Sequence, residues 1–234
     1  MQDTYGKGLK AFFHGRTDSA FLVESDIIET EEWPISLFFR AYDEMPKIEK
    51  TALSRVKGSV LDVGAGAGSH ALWLQEQNNP VTTIDISSGA VEVMKARGVK
   101  RALKKDFFSY TGEKFDTLLL LMNGIGITGK LERLPAFLEQ AKQLLNPHGK
   151  ILLDSSDIIY LFTDEEDCVI DEFDTAYYGE ISYCFHFEKE QGHFFDWLFI
   201  DFDTLKDYAE RSGFSCKKIE EDDHFLYLAE LTLK

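Results

Sequence analysis

Cysteine is scarce in this chain of 234 residues: Cys168, Cys184 and Cys216 lie too far apart for the close pairs of a zinc site or for a dense disulfide framework. Reduced thiols in a cytoplasm are the expectation. Long apolar runs are missing as well. The longest, Leu118 to Met122, is far too short to cross a bilayer, and the opening MQDTYGKGLK lacks the apolar core of a secretion signal. No membrane association and no export are expected. Basic residues are outnumbered, with Lys+Arg at 25 against Asp+Glu at 41 and a formal net charge of -16. Such a field repels phosphate backbones and anionic lipid, which argues against nucleic acid as a partner and favours a small-molecule substrate. Solubility is the plainer reading of the same acidity. The six histidines, His14, His70, His148, His186, His193 and His224, are dispersed, so no metal is expected. Internal repeats and low-complexity tracts are absent.

What is present is the composition of a packed globule, 44% hydrophobic and 28% charged, in a length that suits one large α/β domain. From residue 59 onward short apolar runs alternate with helical patterns, the signature of βαβ units and a parallel sheet. Strands are predicted at 59–63, 81–86, 101–104, 115–122 and 150–154. Between them, helices are predicted at 69–77, through Val91, Val93 and Met94 behind a Ser87 or Ser88 cap with Gly98 as its stop, and along the stripe Leu134, Phe137, Leu138, Ala141, Leu144 and Leu145. The last third changes rhythm: 180–187 and 193–200 flank a turn and predict an antiparallel hairpin. A helix over 204–212 capped by Asp203 and two strands, 215–219 and 225–233, close the domain with an antiparallel edge. Residues 1–55 carry weaker signals and are expected to be helical, with one helix ending at Gly15 and another opened by Pro46. The expected organisation is a single domain over 1–234: a helical cap at 1–55, a cofactor-binding core at 56–156, an inserted hairpin or lid at 157–200, and a helix with antiparallel strands at 201–234. The sheet as a whole is expected to be doubly wound, mostly parallel and seven-stranded.

The strongest local signal is Leu61-Asp62-Val63-Gly64-Ala65-Gly66-Ala67-Gly68, where a buried strand turns into a helix. Small residues there let the backbone approach a ligand, and the helix N-terminus offers unpaired N–H groups. Asp85 falls about 20 residues later at the end of the next strand, where a carboxylate can accept hydrogen bonds from both hydroxyls of an adenosine ribose. A dinucleotide fingerprint wants glycine at the third position after Gly66; Ser69 stands there, with Gly68 one earlier.

The pattern D-x-G-x-G-x-G resembles motif I of the class I, Rossmann-like, S-adenosyl-L-methionine-dependent methyltransferases. The likeness extends to Lys105-Asp106-Phe107-Phe108, which resembles the family's adenine-contacting stretch, to 115–122 as its fourth strand, and to 149–154 as its fifth. The resemblance implies S-adenosyl-L-methionine as cofactor and transfer of its methyl group to an acceptor that residues 1–50 and 157–200 would select. It implies that Gly64, Ala65, Gly66 and Gly68 cradle the cofactor, that Asp62 reaches its amino group and that Asp85 holds the ribose. Ile86 and Phe107 would sandwich adenine, Asp106 would contact its exocyclic amine, and Met122 and Asn123 would face the methyl donor. Each residue has a plainer reading: Asp85 as a helix cap, Asp106 as a turn residue, Phe107 and Met122 as core.

Asn123-Gly124-Ile125-Gly126 lacks the prolines and the aromatic of the Asn/Asp-Pro-Pro-aromatic motif carried by nucleobase methyltransferases. Asp154, Asp157, His186 and His193 are candidate proton acceptors, none singled out as catalytic. A nicotinamide-dependent oxidoreductase shares the first βαβ unit, and a non-catalytic cofactor-binding module shares the fold. Both alternatives stand on sequence alone. The hairpin at 180–200 is expected either to wall the acceptor pocket or to bury Ile181, Tyr183, Phe185 and Phe187 in an ordinary core.

Overall fold

The computed structural model describes residues 3–163 and 177–234. Cys168 and positions 164–176 of the expected insertion lie outside the described residues. In chain order the elements are α1 (Thr4–Phe13), β1 (Ala20–Ser25), β2 (Glu31–Pro34), α2 (Lys47–Arg55), β3 (Val60–Val63), α3 (Ser69–Glu76), β4 (Val81–Asp85), α4 (Ser88–Arg97), β5 (Ala102–Lys104) and β6 (Phe115–Leu120). There follow α5 (Leu134–Leu144), β7 (Leu145–Ser156), β8 (Glu180–Phe187), β9 (Glu190–Gln191), β10 (Phe195–Leu198), α6 (Phe202–Arg211), β11 (Phe214–Glu221) and β12 (Leu226–Leu233).

Seven strands form one sheet in the order β11-β12-β7-β6-β3-β4-β5. β3 to β7 pair in parallel, and β12 runs antiparallel to both β7 and β11. Alternate strand residues feed opposite faces. Leu61, Val63, Leu118, Leu120, Ile151 and Leu153 pack with Leu134, Phe137 and Leu138 of α5 and Leu205 of α6. Val60, Leu119, Leu152 and Leu228 pack on the other face with Ile48 and Leu53 of α2, Leu74 of α3 and Met94 of α4. Each wholly buried side chain of this size contributes roughly 1.5–3 kcal/mol relative to exposure. Strand order reverses between β3 and β6, so the carboxyl end of β3, where the glycine turn begins, lies at the topological switch point.

Ser87 Oγ caps α4 by accepting from Ala90 N, and Gly98 ends it at φ +101°. For α6 the cap is Asp201, not Asp203: its carboxylate accepts from Thr204 N at 2.9 Å. The helix starts two residues early because Phe202 packs edge-on against Tyr227 at 5.6 Å. The chain passes straight from α5 into β7, and Asn146–His148–Gly149 is an irregularity inside that strand, with His148 at φ +66° and a register shift opposite Phe115 and Thr117.

The N-terminal segment departs from the helical expectation. α1 and α2 are in place, but β1 and β2 form an antiparallel pair between them, and β1 also pairs with β8. The resulting second sheet has the order β10-β8-β1-β2, with β9 on the end of β8. The predicted hairpin exists, with Ile181 opposite Trp197 and Tyr183 opposite Phe195, as part of a sheet that two distant segments build together. Its inner face buries Phe21, Val23, Ile181, Tyr183 and Phe187 with Leu9 of α1, and also touches Ala67, Ala90 and Val93 beside the carboxyl ends of β3 and β4. Among the described residues no helix is long and apolar enough to cross a membrane.

Candidate active site

Beyond Val63 the chain turns sharply, and two glycines show why that residue type is needed. Gly66 sits at φ +54°, a conformation strained for L side chains, and a Cβ there would lie 2.8 Å from the Tyr5 hydroxyl. Gly64, at φ +68°, has open space beside it, the nearest atom to a built Cβ being Ile127 Cγ2 at 3.9 Å. The turn is thus strained, narrow and accessible at Gly64, with Ala65 half-buried and Gly68 sealed under Met94 of α4 and Val99 just beyond it.

Asp85 ends β4 beside this turn. Its Oδ2 accepts from Gly66 N at 2.9 Å and its Oδ1 from Ser87 N at 2.8 Å. Burial pushes its carboxyl up to about 6, against the pull of those two backbone donors. Each oxygen keeps a further lone pair for a hydroxyl. Ile86, the next residue, is 71% exposed, an apolar side chain left beside a buried acid. Asp62, on β3, is 2% exposed, and its Oδ2 is buried without a hydrogen-bond partner. Burial raises its carboxyl to about 6, with nearby His70 opposing. A buried, unpartnered carboxylate oxygen is costly unless a donor, best a cation, reaches it.

At the end of β6, Met122 (φ +60°) and Asn123 (φ +55°) are consecutive left-handed residues that are not glycine. Such strain persists only where the surroundings impose it. Here Asp154 imposes it, accepting from Met122 N at 3.1 Å and Asn123 N at 2.6 Å. Burial lifts Asp154 to about 7 in spite of those bonds. Met122 keeps 38% of its surface exposed. The Asn123 side chain is engaged at both ends: its Nδ2 donates to Leu198 O and its Oδ1 accepts from Ser155 Oγ. It ties β10 to the rim instead of pointing a free amide at a ligand.

One predicted contact is placed otherwise. Phe107 is 3% exposed, its ring 5.0 Å from that of Phe137, so core packing takes the faces that would sandwich adenine. Asp106 is exposed, and its Oδ1 caps the following turn by accepting from Phe108 N. Of the candidate proton acceptors, His186 pairs with Glu24 at 2.8 Å, His193 is exposed, and Asp157 accepts from the Tyr178 hydroxyl.

Two further features shape this rim. α1 lies across the glycine turn, and Asp3, its cap, also accepts from Gly89 N and from the hydroxyls of Ser87 and Ser88. β10 seats Trp197 on Gly126, where a Cβ would fall 2.0 Å from the indole nitrogen.

A turn open at Gly64, a buried acid with lone pairs to spare, an exposed apolar neighbour and an orphaned carboxylate oxygen form a set of groups that fits S-adenosyl-L-methionine. A family model described as a methyltransferase domain matches residues 38–219. The structure of an S-adenosylmethionine-dependent methyltransferase from Bacteroides fragilis, in complex with S-adenosyl-L-homocysteine, is 46% identical, with a TM-score of 0.92 over 99% of this chain and 94% of that one. The chain belongs to the S-adenosylmethionine-dependent methyltransferases.

This methyltransferase therefore uses S-adenosyl-L-methionine as its cofactor, and the oxidoreductase and non-catalytic alternatives are not favoured. Two more distant structures share the fold alone. CalS10, an amino pentose methyltransferase from Micromonospora echinaspora, is 17% identical, with a TM-score of 0.57 over 80% of this chain and 87% of that one. The CcbJ methyltransferase from Streptomyces caelestis is 13% identical, with a TM-score of 0.63 over 82% and 94%. No curated protein matches the chain.

Proposed function

We propose that this methyltransferase acts on a small-molecule acceptor held between the carboxyl rim of the parallel strands and the antiparallel sheet, within a single domain. The observation that carries the reading is the seat of Trp197 on Gly126, three residues beyond Asn123. It sets an aromatic strand at the rim where ligands of open α/β sheets lie. A net charge of -16 supports an uncharged or cationic acceptor over a nucleic acid. Free, buried Cys184 and Cys216 support a reducing, cytoplasmic setting.

In this reading Gly64, Ala65, Gly66 and Gly68 cradle the cofactor and Asp62 accepts from its amino group. Asp85 accepts from both ribose hydroxyls, Ile86 covers one face of the adenine, and Asp106 receives its exocyclic amine. The strained Met122 turn, pinned by Asp154, faces the methyl donor. When bound, the cofactor supplies a methyl group already activated on a sulfonium, so the work left to these residues is alignment and exclusion of water. Asp154 is spent on the Met122 and Asn123 N–H groups, and no residue is assigned as a general base.

Incubating the enzyme with a metabolite extract and isotopically methyl-labelled cofactor tests the reading. A labelled small molecule that is absent with an Asp85→Ala enzyme is expected. Label confined to protein or nucleic acid would overturn the small-molecule acceptor.

A further inference from the structure

A chain of polar residues is buried behind the glycine turn. The Arg40 guanidinium donates from Nη2 to Glu49 Oε1 at 2.6 Å, and Glu49 Oε2 lies 2.8 Å from His70 Nε2. Glu49 belongs to α2 and His70 to α3, and His70 in turn acts electrostatically on Asp62 of β3 and Asp154 of β7. Glu49, His70, Asp62 and Asp154 are all buried. Asp154 is satisfied by the Met122 and Asn123 amides, and Asp85 by those of Gly66 and Ser87. Asp62 keeps an orphaned oxygen. An ionised carboxylate in dry surroundings, with no donor to that oxygen, depends on a neighbouring cation.

We propose that Glu49 and His70 are positioning residues for cofactor binding: the imidazolium that Glu49 holds in place keeps Asp62 ionised to receive the cofactor's amino group. This rests on the assignment of Asp62 to that amino group. Burial by itself would push the His70 imidazole down, but the hydrogen bond to Glu49 and the charges of Asp62, Glu49 and Asp154 outweigh it and leave the imidazole raised. The carboxyl of Glu49 is held low, His70 and Arg40 overcoming its burial. Asp62, lifted by burial to about 6, is drawn back by His70, and its charge is felt by Asp85 on β4. Neither Glu49 nor His70 needs to touch the cofactor for its loading to depend on them.

The test is calorimetric titration of S-adenosyl-L-homocysteine from pH 5.5 to 8.5 into the wild type and the His70→Gln, Glu49→Gln and Asp62→Asn variants. Ratios of affinity cancel the ligand's own titration. Wild-type affinity should hold above the carboxyl's value of about 6 and fall below it. His70→Gln keeps a donor for Glu49 but no charge, so the Asp62 midpoint should rise. Binding should then be weaker by about tenfold near pH 6 and return to the wild-type value at pH 8.5. Glu49→Gln, which lowers the imidazole's proton affinity, should move the midpoint the same way and serves should His70→Gln fail to fold. Asp62→Asn should bind weakly across the whole range. A His70→Gln loss of equal factor at every pH, or no loss, overturns the positioning role while weak binding by Asp62→Asn leaves the amino-group assignment standing. Wild-type affinity in Asp62→Asn overturns both.

Discussion

Ile86 leaves most of its side chain in water one residue beyond buried Asp85, whereas Phe107 gives its ring wholly to the core. The two were equivalent as adenine contacts in the sequence, and the structure separates them. Ile86→Ala removes three carbons, each worth about 0.8 kcal/mol when fully buried, and a ligand lying on one side of them covers only part of that surface, so cofactor affinity should fall by about tenfold. The melting temperature should stay put, because the side chain packs on little else. Phe107→Ala should instead cost about 3–5 kcal/mol of stability with no selective loss of binding. Calorimetry of both variants checks this, and an Ile86→Ala protein with wild-type affinity would remove Ile86 from the site. Asp62, the glycines and Asp85 were legible because their spacing within one βαβ unit is local. The burial of Phe107 was not, since it is decided by Phe137 on α5, thirty residues away. His70 read as one of six dispersed histidines, and only folding brings Glu49 and Arg40 to it.

At the scale of elements, the helices and strands of the seven-stranded sheet were readable because each βα unit carries its own pattern and punctuation. Asp201 displaced Asp203 as a cap because two acids two residues apart look alike until Phe202 is seen to pack. The antiparallel sheet was half legible: β8 and β10 alternate and flank a turn, but β1 is short and finds β8 some 160 residues away, with β2 joined through β1. Pairing of that separation leaves no local signature. α1 is the element whose position bears most on function. It crosses α4 where a Cβ on Gly89 would stand 2.6 Å from the Gly6 backbone, and Asp3 ties the two helix starts together. Gly89→Ala should therefore push α1 off the rim. Faster hydrogen exchange of amides 4–13 and faster release of S-adenosyl-L-homocysteine are expected, while unchanged exchange would show that the crossing tolerates the methyl group.

For the molecule as a whole, the buried acids make stability depend on pH in an unusual sense. Asp62 and Asp85, lifted to about 6, and Asp154, lifted to about 7, bind protons more tightly folded than unfolded. Their contribution is present at low pH and is lost as pH rises through the folded values. His70, also raised, acts in the same direction. Asp3, Glu49, Asp201 and Glu230, all held low, lose their contribution as pH falls through the acid range. Without cofactor the melting temperature should be higher at pH 5.5 than at pH 8; a rise toward pH 8 in scanning calorimetry would contradict the burial of these acids.

The central claim is that the cofactor lies on the glycine turn with its ribose on Asp85, and calorimetric titration of S-adenosyl-L-homocysteine into wild-type and Asp85→Ala protein tests it most directly. Hydrogen bonds to a charged group are worth about 1.5–3 kcal/mol each, so loss of two predicts an affinity at least about a hundredfold weaker in a variant that stays folded. Equal affinity in the two folded proteins would contradict it.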